Sequence, residues 1–270
     1  MTSAWDQCGS RVRLEWGAVG AREVGSGATC VVVDVLSFTT TLSVAADRGV
    51  VVYPHPWRGD SARALADRLG ATLAVGRSAM GRSAVSLSPG TVRAAVDLET
   101  LVLPSPNGSS IAHLMAGLGS PVIGACLRNR AVVARHLLEG LAADPAAAVA
   151  FVSAGERWPD GSLRPAVEDL WGAGGVVAAL LDLGVEELGV KEAGVKEAVV
   201  NEEARAAAAA YRLVEGRLGP ELLACSSGRE LAALGYAGDV AIAAERDTRA
   251  VVPVLGPDGA FRAVAPGSIG

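Results

Sequence analysis

Short β-branched runs alternate with Ala- and Leu-rich stretches of helical period through the first half of this 270-residue chain, and no other feature constrains its fold as strongly. The pattern predicts strands at Val12–Glu15, Cys30–Val35, Val50–Tyr53, Thr72–Val75, Thr100–Leu103, Val122–Gly124 and Ala147–Ser153. Between them it predicts helices at Thr39–Asp47, Gly59–Leu69, Ser109–Ala116 and Asn129–Leu141. Such interleaving implies an α/β protein with helices layered on both faces of a largely parallel sheet. From Val167 to Leu234 the reading turns almost wholly helical, with pieces at Val167–Leu183, Asn201–Leu218 and Ser226–Leu234, giving a helix-rich C-terminal half. The run Val251–Leu255 and the turn Pro257-Asp258-Gly259 then predict a closing hairpin. No linker is visible, so residues 1–270 read as a single domain. The pentapeptide Gly-Val-Lys-Glu-Ala, repeated from Gly189 and from Gly194, is too short an array for a solenoid and reads as a solvated connector.

With half of its residues hydrophobic, a chain of this length can bury a substantial core. Its 24 basic and 29 acidic residues and pI near 5.3 leave no footprint for nucleic acid or an anionic membrane, so a small-molecule ligand is expected. Cys8, Cys30, Cys126 and Cys225 are scattered, without a C-x-x-C pair, and read as reduced thiols rather than a disulfide framework or zinc site. Charged residues from Asp6 to Glu23 break up any signal-peptide core, and no apolar run approaches the roughly 20 residues of a membrane span. The expectation is a cytoplasmic protein. An apolar, Ala-rich helical half could also hold a homodimer interface.

Chemistry is expected first at Thr29–Thr41, where the apolar run Cys30–Val33 leads into Asp34 and then the hydroxyls of Ser37, Thr39, Thr40 and Thr41. An acid at the carboxyl end of a buried strand stands where open α/β sheets place their ligands, so Asp34 is a candidate catalytic or metal-binding residue. Pro106-Asn107-Gly108-Ser109 joins a strand to a helix, and amides of the first helical turn could cradle a phosphate, although an ordinary β-to-α turn has the same composition. Two more polar loops follow predicted strands: Leu127-Arg128-Asn129-Arg130 and Ser153-Ala154-Gly155-Glu156. If their strands are parallel neighbours, these loops converge. Glu168 and Asp169 open a helix, a position the helix dipole favours for acids in any protein; with Asp34 they could also supply the oxygen ligands of Mg²⁺. Gly172, Gly174 and Gly175 behind them are better explained by close helix packing.

Two other motifs fail on chemistry. Gly76 to Ser83 matches a P-loop except for arginine at position 82, and Pro89 would cut short the helix a P-loop needs. The haloacid-dehalogenase pattern D-x-D-x-T requires an acid where Leu36 stands. His55, His113 and His136 are dispersed and no serine sits in a G-x-S-x-G elbow, which argues against a Ser-His-Asp hydrolase.

Taken in order, V-V-V-D-V-L-S-F-T-T from Val31, S-P from Ser88, P-N-G-S from Pro106, L-R-N from Leu127, S-A-G from Ser153 and E-D-L-W-G-A-G from Glu168 resemble the 2-phosphosulfolactate phosphatase family. Asp247 followed by Val251-Val252-Pro253-Val254 is similar to the end of that family's chains. The resemblance implies a three-layer α/β/α sandwich and a Mg²⁺-dependent hydrolase removing phosphate from 2-phosphosulfolactate, on a route to coenzyme M. It places Asp34, Asn107, Gly108, Asn129, Ser153, Glu168 and Asp169 around the active site, with Mg²⁺ held by carboxylates; by their own chemistry Ser109, at the start of its helix, and Arg128 would suit the anion, although a solvated helix start explains Arg128 equally well. Where this chain has Asp34-Val-Leu-Ser37-Phe38-Thr-Thr the family typically reads D-V-L-R-A-T-T, and where it has Ala74-Val75-Gly76-Arg77 the family typically reads G-G-E-R. An arginine and a glutamate are thus replaced, and Arg77 or Arg82 is the expected substitute for the arginine absent at Ser37. A binder of a phosphorylated or sulfonated metabolite that kept the pocket without turnover is the alternative.

Overall fold

The computed structural model describes residues 7–56, 59–76, 85–189, 191–192, 195–196, 198–248 and 250–265. Strands β1 (Val12–Trp16), β2 (Thr29–Val33), β3 (Val51–His55), β4 (Thr72–Leu73), β5 (Thr100–Pro104), β6 (Val122–Ala125) and β7 (Val149–Ser153) match the seven predicted runs. Short hairpins follow at β8 (Glu156–Arg157) and β9 (Leu163–Arg164), and at β10 (Lys191–Glu192) and β11 (Val195–Lys196); β12 (Val252–Leu255) and β13 (Phe261–Val264) close the series. The helices are α1 (Gly17–Val24), α2 (Phe38–Asp47), α3 (Asp60–Leu69), α4 (Pro89–Ala94), α5 (Gly108–Gly117), α6 (Arg130–Ala143), α7 (Val167–Asp182), α8 (Glu202–Val214), α9 (Leu218–Ala224), α10 (Ser226–Ala233) and α11 (Ala237–Ala243). Together they form the expected α/β sandwich around a mixed, mostly parallel sheet.

A nine-stranded sheet runs in the order β1-β7-β2-β6-β12-β13-β3-β5-β4. Its first four strands are mutually parallel, as are β3, β5 and β4, whereas every pairing made by the β12–β13 hairpin outside and within itself is antiparallel. The predicted closing hairpin is therefore the joint between two parallel sets. Val252 and Phe261 are fully covered there, as a mid-sheet position demands. β2 is buried on both faces, Val31 and Val33 in one core and Cys30 and Val32 in the other, which explains its unbroken β-branched run.

Five strand-to-strand steps separate β2 from β5. At roughly 20–25° of twist per step the accumulated rotation is roughly 100–125°, enough to swing the carboxyl end of β5 round toward that of β2. α2 fills the hollow this leaves, with every residue from Phe38 to Ala46 buried. Its hydroxyls are satisfied locally: Thr39 Oγ1 donates to the Asp34 carbonyl (2.8 Å), Thr40 Oγ1 to the Val35 carbonyl (2.8 Å) and Thr41 Oγ1 to the Leu87 carbonyl (2.7 Å).

Several boundaries differ from the sequence pattern for identifiable reasons. β2 stops at Val33 because the next amides leave the ladder for side chains, Asp34 N donating to Thr39 Oγ1 and Val35 N to Asp169 Oδ1. The predicted helix Asn201–Leu218 divides into α8, a 3₁₀ turn at Glu215–Arg217 and α9, which places Pro220 in a first helical turn where its missing N–H does no harm. The repeat, expected to be a connector, carries the paired β10 and β11. The stretch from Arg77 to Ser83 lies outside the described residues.

The glycines of α7 have the packing role expected of them. A Cβ on Gly174 would stand 2.0 Å from the Ala207 carbonyl oxygen of α8, and one on Gly172 would stand 2.5 Å from Val35 Cγ2. Gly174→Ala should lower unfolding free energy by about 2–3 kcal/mol. Gly140→Ala on α6, where a Cβ meets nothing within 4 Å, should be neutral or raise it by up to about 1 kcal/mol. Paired denaturant titrations would check both, and equal effects would contradict the close approach of α7 to α8.

Candidate active site

β7, β2 and β6 are adjacent and parallel, so the loops after them rise side by side. Asp34 leaves the end of β2 buried, only 6% exposed. Its Oδ2 accepts from the Gly108 amide (2.9 Å), and its Oδ1 accepts from the Phe38 amide (3.2 Å). These amides open α5 and α2, so two helix N-termini face one carboxylate. The approach leaves no room for a side chain at position 108, since a Cβ there would lie 2.4 Å from Phe38 Cδ1 and 2.8 Å from Asp34 Oδ2.

Asp169, at the start of α7, fastens the neighbouring loops. Its Oδ1 accepts from the Val35 amide (2.7 Å) and its Oδ2 from the Gly155 amide (2.9 Å), while Ser153 Oγ donates to the Asp169 carbonyl (3.3 Å). One carboxylate thereby holds the segments after β2 and β7 against the helix that carries it. Burial, reinforced by Asp34 and Glu168, pushes the Asp169 carboxyl well above its ordinary range. Glu168 is buried beside Cys225, whose thiol is raised to about 12 by burial and then by Glu168.

A fourth acid completes the group. Glu156, on β8 just beyond β7, accepts from Asn107 Nδ2 at 2.9 Å. Burial first and Asp34 second raise its carboxyl from an ordinary 4.5 to about 7; the Asn107 hydrogen bond and Arg164 act in the opposite direction. Glu156 and Asn107 also border a cleft of about 290 Å³ whose walls include Trp16, Gly17, Ile111 and Leu163.

Of the residues expected at the site, Asp34, Asn107, Gly108, Glu168 and Asp169 meet here. Others have local duties. Arg128, expected near the anion, is 1% exposed and held in ion pairs with Asp47 (2.7 Å) and Glu245, with Nε donating to Ser43 Oγ (3.3 Å). Its charge is answered by carboxylates, because a buried guanidinium is stable only when paired. Asn129 closes its own loop, accepting from the Cys126 amide (2.9 Å) and donating to the Gly124 carbonyl (3.2 Å). Arg130 pairs with Asp247 (2.8 Å), and Ser109 Oγ donates to the Leu103 carbonyl (2.9 Å). Ser37 is buried at the N-cap of α2, and Arg77 lies outside the described residues.

Among the described residues no three acidic, His or Cys side chains form a ready-made metal cage, so Asp34, Glu168 and Asp169 are not gathered as the close trio expected of three metal ligands. Asp169 is turned toward two backbone amides instead. Glu156 is the site residue the sequence reading left unassigned, although it follows a buried strand just as Asp34 does.

Residues 20–257 match the family described as 2-phosphosulpholactate phosphatase. The chain belongs to that family. It is also 29% identical over 234 residues to a probable 2-phosphosulfolactate phosphatase of Deinococcus radiodurans, covering 84% of this chain and 87% of that protein. Family membership makes the chain a phosphatase, a hydrolase of phosphoric monoesters, and gives its buried acids a chemical context.

Two outcomes follow from this geometry. Because Glu156 binds its proton more tightly folded than unfolded, it favours the folded state at acid pH, and the metal-free protein should lose stability as pH rises from about 4.5 to 7. Glu156→Gln should flatten much of that decline and stabilise the metal-free protein at pH 8 by about 2–3 kcal/mol, read from denaturant midpoints; an unchanged profile would contradict the raised carboxyl. Gly108→Ala should displace Asp34 and lower phosphatase kcat/KM by about 100-fold with the circular dichroism spectrum preserved. Wild-type turnover in that variant would show that the Asp34–Gly108 contact has no part in catalysis.

Proposed function

We propose that this chain is a Mg²⁺-dependent phosphatase of small anionic phosphate esters, with 2-phosphosulfolactate, converted to sulfolactate and phosphate, as the substrate to which the family name points. The observation that carries the metal reading is the gathering of Asp34, Glu156, Glu168 and Asp169 at one end of the sheet, where burial first, and then the charges of Asp34 and Glu168, raise the carboxyls of Glu156 and Asp169. A divalent cation is the natural counter-charge for such a group. The donors are all hard oxygens, and Mg²⁺ commonly takes only one or two carboxylates, filling its shell with water and substrate phosphate, so a closed cage of protein ligands is not required. Asp34, together with Glu156 or Glu168, would hold it.

When bound, the cation would supply charge neutralisation for the phosphate and lower the pKa of a coordinated water. The chain's own groups do the rest. Asp169 keeps the loops after β2 and β7 fixed by accepting hydrogen bonds from the Val35 and Gly155 amides, so the acids those loops bear cannot drift apart. Amides of the first turn of α5 and the Asn107 side chain would orient the phosphoryl oxygens, and the walls formed by Trp16, Ile111 and Leu163 would limit stray water around the ester. A cytoplasmic setting and a step toward coenzyme M accompany this reading; no helix among the described residues is long and apolar enough to cross a membrane.

Replacement of the family arginine by Ser37 favours one second reading, a metabolite binder without turnover. Purified protein should release phosphate from 2-phosphosulfolactate only with Mg²⁺, and Asp34→Asn should reduce the rate at least about 1000-fold, as loss of a principal electrostatic group does. Ligand-induced thermal stabilisation without phosphate release, unaffected by Asp34→Asn, would favour the binder instead.

A further inference from the structure

The cleft in front of Glu156 has a polar inner end and a cationic rim, and the β8–β9 hairpin supplies both. In that hairpin Glu156 pairs across with Arg164, and Arg157 with Leu163. Directly opposed residues share a face. One face therefore carries Glu156 with Arg164, the cation that partly offsets it, toward the buried acids. The other carries Arg157 and Leu163, and all of these four residues except Arg164 border the cleft.

Arg157 is the one cationic residue among those lining this cleft. Its guanidinium is exposed, and Nη1 donates to the Gly161 carbonyl across the turn at 3.2 Å. No acidic side chain among the described residues pairs with it, in contrast to Arg128, Arg130, Arg205 and Arg212, which all meet carboxylates. Arg164, its neighbour across the hairpin, is also engaged, lying over the Trp158 ring at 5.9 Å and donating to Ser227 Oγ at 3.3 Å. Arg157 thus keeps donors available at the mouth of a cleft whose inner end is acidic.

An acidic inner end repels the remainder of any substrate that carries negative charge beyond its phosphate, unless a cation meets that charge. We propose that Arg157 is a specificity-determining residue, receiving a second anionic group of the phosphate ester at the outer end of the cleft while the phosphate faces Asn107 and Glu156. A guanidinium can take a planar carboxylate through two parallel hydrogen bonds, or a sulfonate through two of its oxygens. The cleft, about 290 Å³, is of the size that holds a small metabolite. The assignment rests on the cleft being the substrate site of the proposed phosphatase.

Two esters separate the possibilities, 2-phosphoglycerate and glycerol 2-phosphate, which differ by a carboxylate in place of a hydroxymethyl group. Affinities would be measured on the full chain with Mg²⁺, as Kd by calorimetry or as KM where the ester is hydrolysed, with phosphate release followed in parallel. Wild-type protein should prefer 2-phosphoglycerate at least tenfold, about 1.4 kcal/mol. Arg157→Ala should bring the ratio to within twofold of one, and Arg157→Lys should restore part of the preference. A wild-type ratio near one, a preference that survives in Arg157→Ala, or binding of neither ester overturns the proposal. An intact, Arg157-dependent preference without phosphate release supports it and counts against turnover alone.

Discussion

Buried negative charge gathered at one end of the sheet is the constraint around which the rest of this molecule is arranged. Asp34, Glu168 and Asp169 are each at most 6% exposed, and Glu156 stands close enough to feel two of them. Acids taken out of water in this way are tolerated only when hydrogen-bonded, protonated or matched by a cation. All three remedies have a place here: backbone amides serve Asp169 and Asp34, raised carboxyls ease Asp169 and Glu156, and a divalent ion is the proposed third. Stability and function consequently pull against each other at the same residues. The metal-free protein bears a repulsion that the working enzyme would use.

That gathering depends on the shape of the sheet. Pairing through the β12–β13 hairpin reverses strand direction between the two parallel sets, which in a flat sheet would leave the ends of β2 and β5 at opposite edges. Accumulated twist brings them back together, and the Gly108 amide reaches Asp34 across the hollow filled by α2. The C-terminal hairpin, far from the site in sequence, thus lies between the two parallel sets whose loops form it. Glycine at position 108 follows from the same geometry, because α5 must begin in contact with both Asp34 and Phe38.

Much of this was legible in the chain itself. The seven runs that became β1 to β7 were readable as short strand-forming segments between helical stretches, and Asp34 stood out as the acid ending the unbroken apolar run of β2. Asn107, Gly108, Glu168 and Asp169 were recoverable as strand-end and helix-start residues. What periodicity could not supply was direction: Arg128 and Asn129 sit in a loop of the right kind, yet one turns inward to Asp47 and Glu245 and the other folds back on Cys126. Side-chain direction depends on partners distant in sequence, and a local pattern holds no record of them. Glu156 and Arg157 escaped for a related reason, since a two-residue strand has no periodicity to read and gains its meaning from the cleft it borders.

The reading of these acids as a metal site is most directly tested by anomalous diffraction from crystals soaked with Mn²⁺, a scattering substitute for Mg²⁺, together with phosphate. A single anomalous peak bonded to carboxylate oxygens of Asp34 and of Glu156 or Glu168, with phosphate between it and the start of α5, is the predicted result. Phosphate bound there with no anomalous density near any of these acids would contradict it.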